Sequence, residues 1–205
     1  MQLGPIMAGD QANPTGYVAL TFDDGPGSNT GTLLATLRAC GARATLFNTG
    51  QHATSDRRLV AAEVREGMWI GNHSYTHPHM LTLRKGEMRD ELFRTQSAIQ
   101  AAGGGRPTLF RPPFGEKDET LESLAAELGM IVVMWDVDSE DWNGATTEAI
   151  VAAAEGLRNG DVMLMHDQWA TTIAAIPQIV ANLARRGLSP GMVDPKTGRA
   201  VAPGA

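Results

Sequence analysis

With 205 residues, 42% of them apolar and 20% charged, the chain is long enough for one sizeable core, and its composition excludes a disordered or fibrous architecture. A formal charge of −6 without any run of Lys and Arg argues against nucleic acid or an anionic membrane as partner. No apolar stretch reaches the roughly 18 residues that a membrane span requires.

The first residues, MQLGPIMAGDQANPT, lack the basic start and apolar centre of a secretory segment and read as a flexible leader over 1–15. Such a start fits either a cytoplasmic protein or a secreted one whose targeting segment has been removed. Tyr17 to Phe22 is a β-rich run that stops at Asp23-Asp24-Gly25-Pro26, a turn composition, so a strand delivers two carboxylates to its end. Thr30 opens a helical pattern through Leu33, Leu34, Leu37 and Cys40, closed by Gly41. Cys40, the only cysteine, allows no intrachain disulfide and is expected on the buried face of that helix.

The cycle then repeats. Residues 43–48 read as a strand, 56–66 as a helix closed by Gly67, and 68–70 as a strand. A long helix over about 85–101 ends at the glycine-rich break 103–105, and a short strand covers 109–111. A helix over about 119–128 leads to Ile131-Val132-Val133-Met134-Trp135, apolar enough for a strand buried on both faces. A helix over about 147–157, a strand over 162–165 and a helix over about 172–186 follow. The tail, 190–205, carries turn residues and is expected to pack on the surface of a single domain spanning 16–189.

About six or seven strands alternating with helices imply an α/β fold with a parallel sheet, either closed into a barrel or open and doubly wound. Polar residues follow nearly every strand: Asp23 and Asp24, Asn72 and His73, Arg111, Asp136 and Asp138, His166 and Asp167. So many contributions to one rim suit a barrel mouth better than a single crevice. An irregular (β/α) barrel is therefore expected.

Four constellations carry chemistry. In NHSYTHPH, His73 and His77 stand four apart and can reach one ion, although Pro78 disfavours helix at His77. Asp23-Asp24 supplies a third ligand and one carboxylate more, and two adjacent carboxylates are costly to bury without a cation on at least one of them. Neutral imidazoles with one carboxylate suit zinc, with cobalt or nickel as alternatives. His166, straight after a buried strand on the same rim, has the ordinary pKa of a proton donor to a leaving group. Arg111-Pro112-Pro113-Phe114-Gly115 is a stiff loop whose Phe114 N–H can face an oxyanion. Trp135-Asp136-Val137-Asp138-Ser139-Glu140-Asp141-Trp142 mixes acids with flat rings, as a sugar cleft does.

The set TFDDGP, NHSYTH, RPPFG, DSEDW and LMHD, in that order and at these separations, resembles the motifs of the NodB-homology polysaccharide deacetylases, carbohydrate esterase family 4, over about residues 16–188. Stretches such as ATLFNTGQ and WDVDSEDWN resemble its bacterial secreted acetylxylan esterases and chitooligosaccharide deacetylases. The resemblance implies a distorted (β/α) barrel of about seven parallel strands and a divalent metal, most commonly zinc or cobalt. It makes Asp24, His73 and His77 the metal ligands, Asp23 the base and His166 the acid. Arg111 would orient Asp23, and Asp138 would orient His166. Phe114, Trp142, Leu164 and Tyr75 would bind substrate. The secreted members often carry a disulfide near the domain ends, which a single cysteine rules out here.

The implied substrate is an acetylated polysaccharide or oligosaccharide, with N-acetyl groups of chitin and O-acetyl groups of xylan as candidates. A secreted monomer is the expected form. Two rivals come from other classes: a carbohydrate-binding pseudoenzyme that keeps the cleft alone, and a phosphoesterase on a similar barrel. The second would need a further metal cluster and a cationic clamp beyond Arg111, and neither is visible in the sequence.

Overall fold

The structure, a computed structural model, describes residues 14–204; the expected leader, apart from residues 14 and 15, lies outside them. Its first half runs β1 (Gly16–Asp23), α1 (Thr30–Ala39), β2 (Thr45–Asn48), α2 (Gly50–Ser55), α3 (Arg57–Arg65), β3 (Trp69–Asn72) and α4 (Lys85–Ala101). The second half adds β4 (Leu109–Phe110), α5 (Glu119–Glu127), β5 (Ile131–Val132), β6 (Val137–Asp138), α6 (Thr147–Ala154), β7 (Val162–His166), α7 (Ala170–Arg185) and β8 (Leu188–Pro190). A small hairpin, β9 (Met192–Val193) and β10 (Ala200–Val201), ends it.

The sheet order is β5-β4-β3-β2-β1-β7-β6, every neighbour parallel, with β8 extending the start of β1. This curled sheet with its outer helices is the distorted barrel expected. Among the described residues β5 and β6 are not paired with each other, so a seam runs between them, spanned by residues 133–136.

Alternation along each strand decides what the barrel holds. On β1, Val18, Leu20 and Phe22 face the helical layer, where they pack with Leu33 and Leu37 of α1 and with Ile173, Ile176 and Leu183 of α7. Ala19, Thr21 and Asp23 point inward. On β7 the inward set is Val162, Leu164 and His166, and on β2 it is Thr45 and Phe47. The interior is therefore layered. Ala19, Leu109, Val133 and Val162 fill the floor, Phe47 stands in the middle, and the last inward residues of β1 and β7 are Asp23 and His166, register partners across the pair. Gly71 makes room for this filling, because a Cβ there would lie 2.4 Å from the Phe47 ring.

The tail does more than cover the surface. Val193 and Ala200 are buried in the floor cluster, Gly191 N–H donates to Val18 O, and Ala200 N–H donates to Gly160 O. Arg199 bridges Asp136 at 2.8 Å and Asp161 at 2.9 Å.

The strands β6 and β8 and the hairpin β9–β10 are additions to the expected order, and two further differences bear on the site. The strand anticipated over 131–135 is only two residues long, and Ile131 and Val132 are half-buried rather than covered on both faces. The next carbonyls leave the ladder because Arg111 claims them: its Nε donates to Val133 O at 3.3 Å and its second guanidinium nitrogen to Met134 O at 3.1 Å. The other difference is α2, a short helix in a stretch without an apolar stripe. Thr49 caps it by accepting from His52 N–H. Cys40 stands at the C-cap of α1, half-buried against the first core cluster.

Candidate active site

The inward column of β1 and β7 opens into a cavity of about 420 Å³ lined by Asp23, His73, Phe114, Trp142, Leu164 and His166 among others. Asp23 is buried beside Arg111, which is itself fully buried. The guanidinium donates to Asp23 Oδ1 at 2.8 Å and to Thr21 Oγ1 at 2.7 Å, and lies 4.3 Å from the centre of the Phe47 ring. Burial pushes the Asp23 carboxyl above its ordinary range, and the charge of Arg111 pulls it back part of the way.

Asp24, His73 and His77 offer one ligand atom each, all within 4.8 Å of one another. His73 follows β3 and is buried. Its Nδ1 lies 2.7 Å from Arg111 O, and a carbonyl only accepts, so that nitrogen carries the proton. Burial lowers its pKa to about 3, leaving Nε2 as a bare lone pair 3.5 Å from Asp24 Oδ1. His77 Nε2 is 3.4 Å from the same oxygen.

The bare lone pair of His73 Nε2 and the Asp24 carboxylate face each other as two acceptors, an arrangement that repels unless a cation lies between them. The donor set thus fits a divalent metal, and two imidazoles plus one carboxylate suit zinc.

The loop carrying the histidines is held rather than free. Asn72 Oδ1 accepts from Ser74 N–H, Ser74 Oγ accepts from His77 N–H, and Glu91 Oε2 of α4 accepts from both Tyr75 N–H and Thr76 N–H at 2.7 and 2.8 Å. These bonds replace the helical turn that Pro78 disfavours, and they sustain the left-handed backbone of His77, φ 57°.

The opposite wall carries the acid candidate, and here the expectation about Asp138 is corrected. Asp141 is the partner of His166, its Oδ1 lying 2.7 Å from Nδ1 and its Oδ2 accepting from the His166 N–H at 2.8 Å. Burial works against the charged imidazole, but the Asp141 hydrogen bond and the charges of Asp23, Asp141 and Asp24 outweigh it, so the His166 pKa is raised. For Asp141, burial also opposes the charge, and the bonds from His166 and Thr172 win, so its pKa is lowered. Asp138 instead accepts from Glu140 N–H at 2.8 Å and from Trp142 Nε1 at 3.3 Å. The reversal between the two acids is made by Glu140, whose left-handed backbone turns Asp141 inward at the start of a 3-10 turn, Asp141–Asn143.

Phe114, Trp142 and Leu164 line the cavity, as placed by sequence. Phe114 holds a left-handed backbone, φ 58°, and its half-exposed ring stacks 4.1 Å from His79 and meets His77 edge-on at 4.7 Å. Tyr75 is elsewhere: it lines an adjoining depression of about 230 Å³ together with Gln51, His52 and Gln168, and its ring lies under the Arg94 guanidinium at 3.8 Å. Asp141 figures in the sequence only as one acid of the 135–142 run, without a role toward His166, and Glu91 and Gln168 are not singled out there at all. Glu91 left a readable trace, a carboxylate in register with the buried Met88, Leu92 and Thr95 of α4.

A family model described as polysaccharide deacetylase matches residues 10–133. The chain is 52% identical over 194 residues to a bifunctional xylanase/xylan deacetylase from Cellvibrio japonicus, matching 94% of this chain and 29% of that protein. It is 35% identical over 175 residues to the peptidoglycan-N-acetylglucosamine deacetylase PgdA of Listeria monocytogenes, matching 83% of this chain and 36% of that protein. The chain thus spans about a third of the length of these curated relatives. Among solved structures, a family 4 carbohydrate esterase from Streptomyces lividans in complex with acetate superposes with a TM-score of 0.92 at 57% identity, covering 93% of this chain and 99% of that one.

Proposed function

Since the chain belongs to the polysaccharide deacetylase family, carbohydrate esterase family 4, we propose that it is a metal-dependent hydrolase whose substrate is an acetylated polysaccharide of the xylan or chitin type. Asp24, His73 and His77 would hold the cation, zinc by the chemistry of the donors. Bound there, it would supply positive charge that polarises an acetyl carbonyl and acidifies a nearby water.

Every other step falls to side chains already in place. Asp23, pushed up by burial, takes the proton from the attacking water, while Arg111 keeps its carboxylate oriented through Oδ1. The Phe114 N–H faces the oxyanion, where one such donor is typically worth ~3 kcal/mol. His166, whose pKa Asp141 helps to raise, gives its Nε2 proton to the departing amine or sugar oxygen. Trp142 and Leu164 form the apolar lining against which the acetyl methyl and sugar face rest.

The observation that supports this reading is the register pairing of Asp23 with His166 on β1 and β7, which brings these two side chains to one cavity beside the converging Asp24, His73 and His77. N-acetyl and O-acetyl groups pass through nearly the same tetrahedral species, so activity on both is the proposal. The catalytic unit is residues 16–189 completed by the tail, acting as an exported monomer on polymers too large to enter a cell.

Acetate release from chitin oligomers and from acetylated xylan tests it, measured before chelator treatment, after it, and after zinc is restored. Release on either substrate that chelation abolishes and zinc restores is expected. Full activity after exhaustive chelation would remove the metal from the proposal, and sugar binding without acetate release would leave only a binding module.

A further inference from the structure

The two oxygens of the Asp24 carboxylate face different neighbours. Oδ1 points between His73 Nε2 and His77 Nε2, while Oδ2 accepts a hydrogen bond from Gln168 Nε2 at 2.9 Å. Gln168 is exposed at the end of β7, and its main-chain oxygen is itself tied down by Asn29 Nδ2 at 2.8 Å. On the other side, the Asp24 carbonyl lies 2.7 Å from His52 Nδ1, which must carry the proton there. Asp24 sits at φ 69°, a conformation that a non-glycine residue keeps only when its surroundings hold it.

A carboxylate ligand can offer a cation one oxygen or two, and it can swing about its Cβ–Cγ bond between these modes. Whether it does depends on what already occupies the second oxygen. Here that oxygen is engaged by a neutral N–H donor, which fixes the rotation without cancelling the ligand's charge.

We propose that Gln168 is the positioning residue for the metal site, holding Asp24 to one-oxygen presentation and thereby setting the cation affinity. This rests on the reading of Asp24, His73 and His77 as ligands. Gln168 is no ligand itself in this arrangement, because the atom it turns toward Asp24 is the amide nitrogen, whose lone pair is delocalised and does not bind a cation. Losing such an outer hydrogen bond typically costs about 10–100-fold in metal affinity.

The test compares the parent protein, Gln168→Leu and Asp24→Asn by zinc competition against a chromophoric chelator, together with the thermal midpoint of each metal-free protein. Leucine keeps comparable bulk and removes the donor. The expected result is one zinc site in the parent, an affinity about 10–100-fold weaker in Gln168→Leu, and an unchanged metal-free midpoint in that variant. Affinity within twofold of the parent would overturn the inference, as would a fall in the metal-free midpoint that accounts for the weaker binding. Absence of zinc binding by the parent, or parent-like binding by Asp24→Asn, would instead bring down the ligand reading beneath it.

Discussion

Asp141 grips His166 with both carboxylate oxygens, one at the imidazole Nδ1 and one at the main-chain N–H, so that the ring's tautomer and its position are fixed by a single residue. Thr172 Oγ1 donates to the second of those oxygens at 2.7 Å, completing the support from α7. Asp141→Asn removes the charge that favours imidazolium. Turnover should fall by about 10²–10⁴, the usual weight of a general acid. The alkaline limb of the pH–rate profile should move to lower pH, since the raised His166 pKa loses a cause. Asp138→Asn should leave that limb in place. Profiles of kcat against pH for both variants decide between the two aspartates.

Asp23→Asn should keep zinc stoichiometric and lose most turnover, again by about 10²–10⁴. His77→Ala should lose zinc and activity together. Metal content by elemental analysis, read beside acetate release, separates the base from the ligands. A His77→Ala protein that retains one zinc per chain would contradict the ligand set.

Glu63 is a carboxyl with no place in the chemistry. It is buried on α3, with Oε2 accepting from Asn48 Nδ2, while Oε1 and Asn48 Oδ1 have no partner among the described residues. Burial raises its pKa from 4.5 to about 8, with the charge of Asp167 adding to the rise. The native state therefore binds this proton more tightly than the unfolded chain does. Stability should decline as pH rises from about 4.5 to about 8, at up to about 1.4 kcal/mol per pH unit, and flatten above that. Glu63→Gln keeps shape and the neutral state and should erase that decline, as seen in denaturant melts at a series of pH values.

Glu91→Ala deletes the acceptor for two main-chain N–H groups of the histidine loop. Leaving them unsatisfied should cost about 1–3 kcal/mol each and weaken zinc binding as well, because the loop that sets His77 is released. Thermal melts with and without zinc report both effects. An unchanged melt would mean that the loop holds its shape by other contacts.

Trimming the chain after Ser189 removes Val193 and Ala200 from the barrel floor together with the Arg199 bridges. The bridges are half-exposed and should matter little, so Arg199→Ala is expected to cost less than about 1 kcal/mol. Truncation should cost far more, because the ends of Ala19, Leu109 and Val162 would face water. Comparing melts of the two variants distinguishes charge from burial.

Much of this was legible in the residues. Alternating apolar runs gave the order of β1 to β5 and β7, though not β6 or β8, and most of the polar residues after them lie on the rim, because period and turn chemistry are local properties. Asp136 instead sits at the floor end, accepting from Val162 N–H at the start of β7. The choice between Asp138 and Asp141 was not legible. It depends on a left-handed turn at Glu140, which no propensity forecasts for glutamate, and four acids within the six residues 136–141 look alike in one dimension. The early end of β5 was hidden for a different reason: its carbonyls go to a side chain 22 residues upstream, that of Arg111. Helix α2 escaped because its hold is a threonine cap and the close approach of Gly50 to Tyr75 and Thr95, with no amphipathic stripe to announce it.

The same guanidinium reaches Thr21 and Asp23 on one strand and the carbonyls of Val133 and Met134 across the gap. Arg111 thus ties the central strand β1 to the segment that spans the seam, besides being the neighbour of the proposed base. Any replacement of it would unlace the wall and disturb the proton acceptor in one stroke. A loss of rate in an Arg111 variant therefore carries no message about charge until the protein is known to have kept its shape.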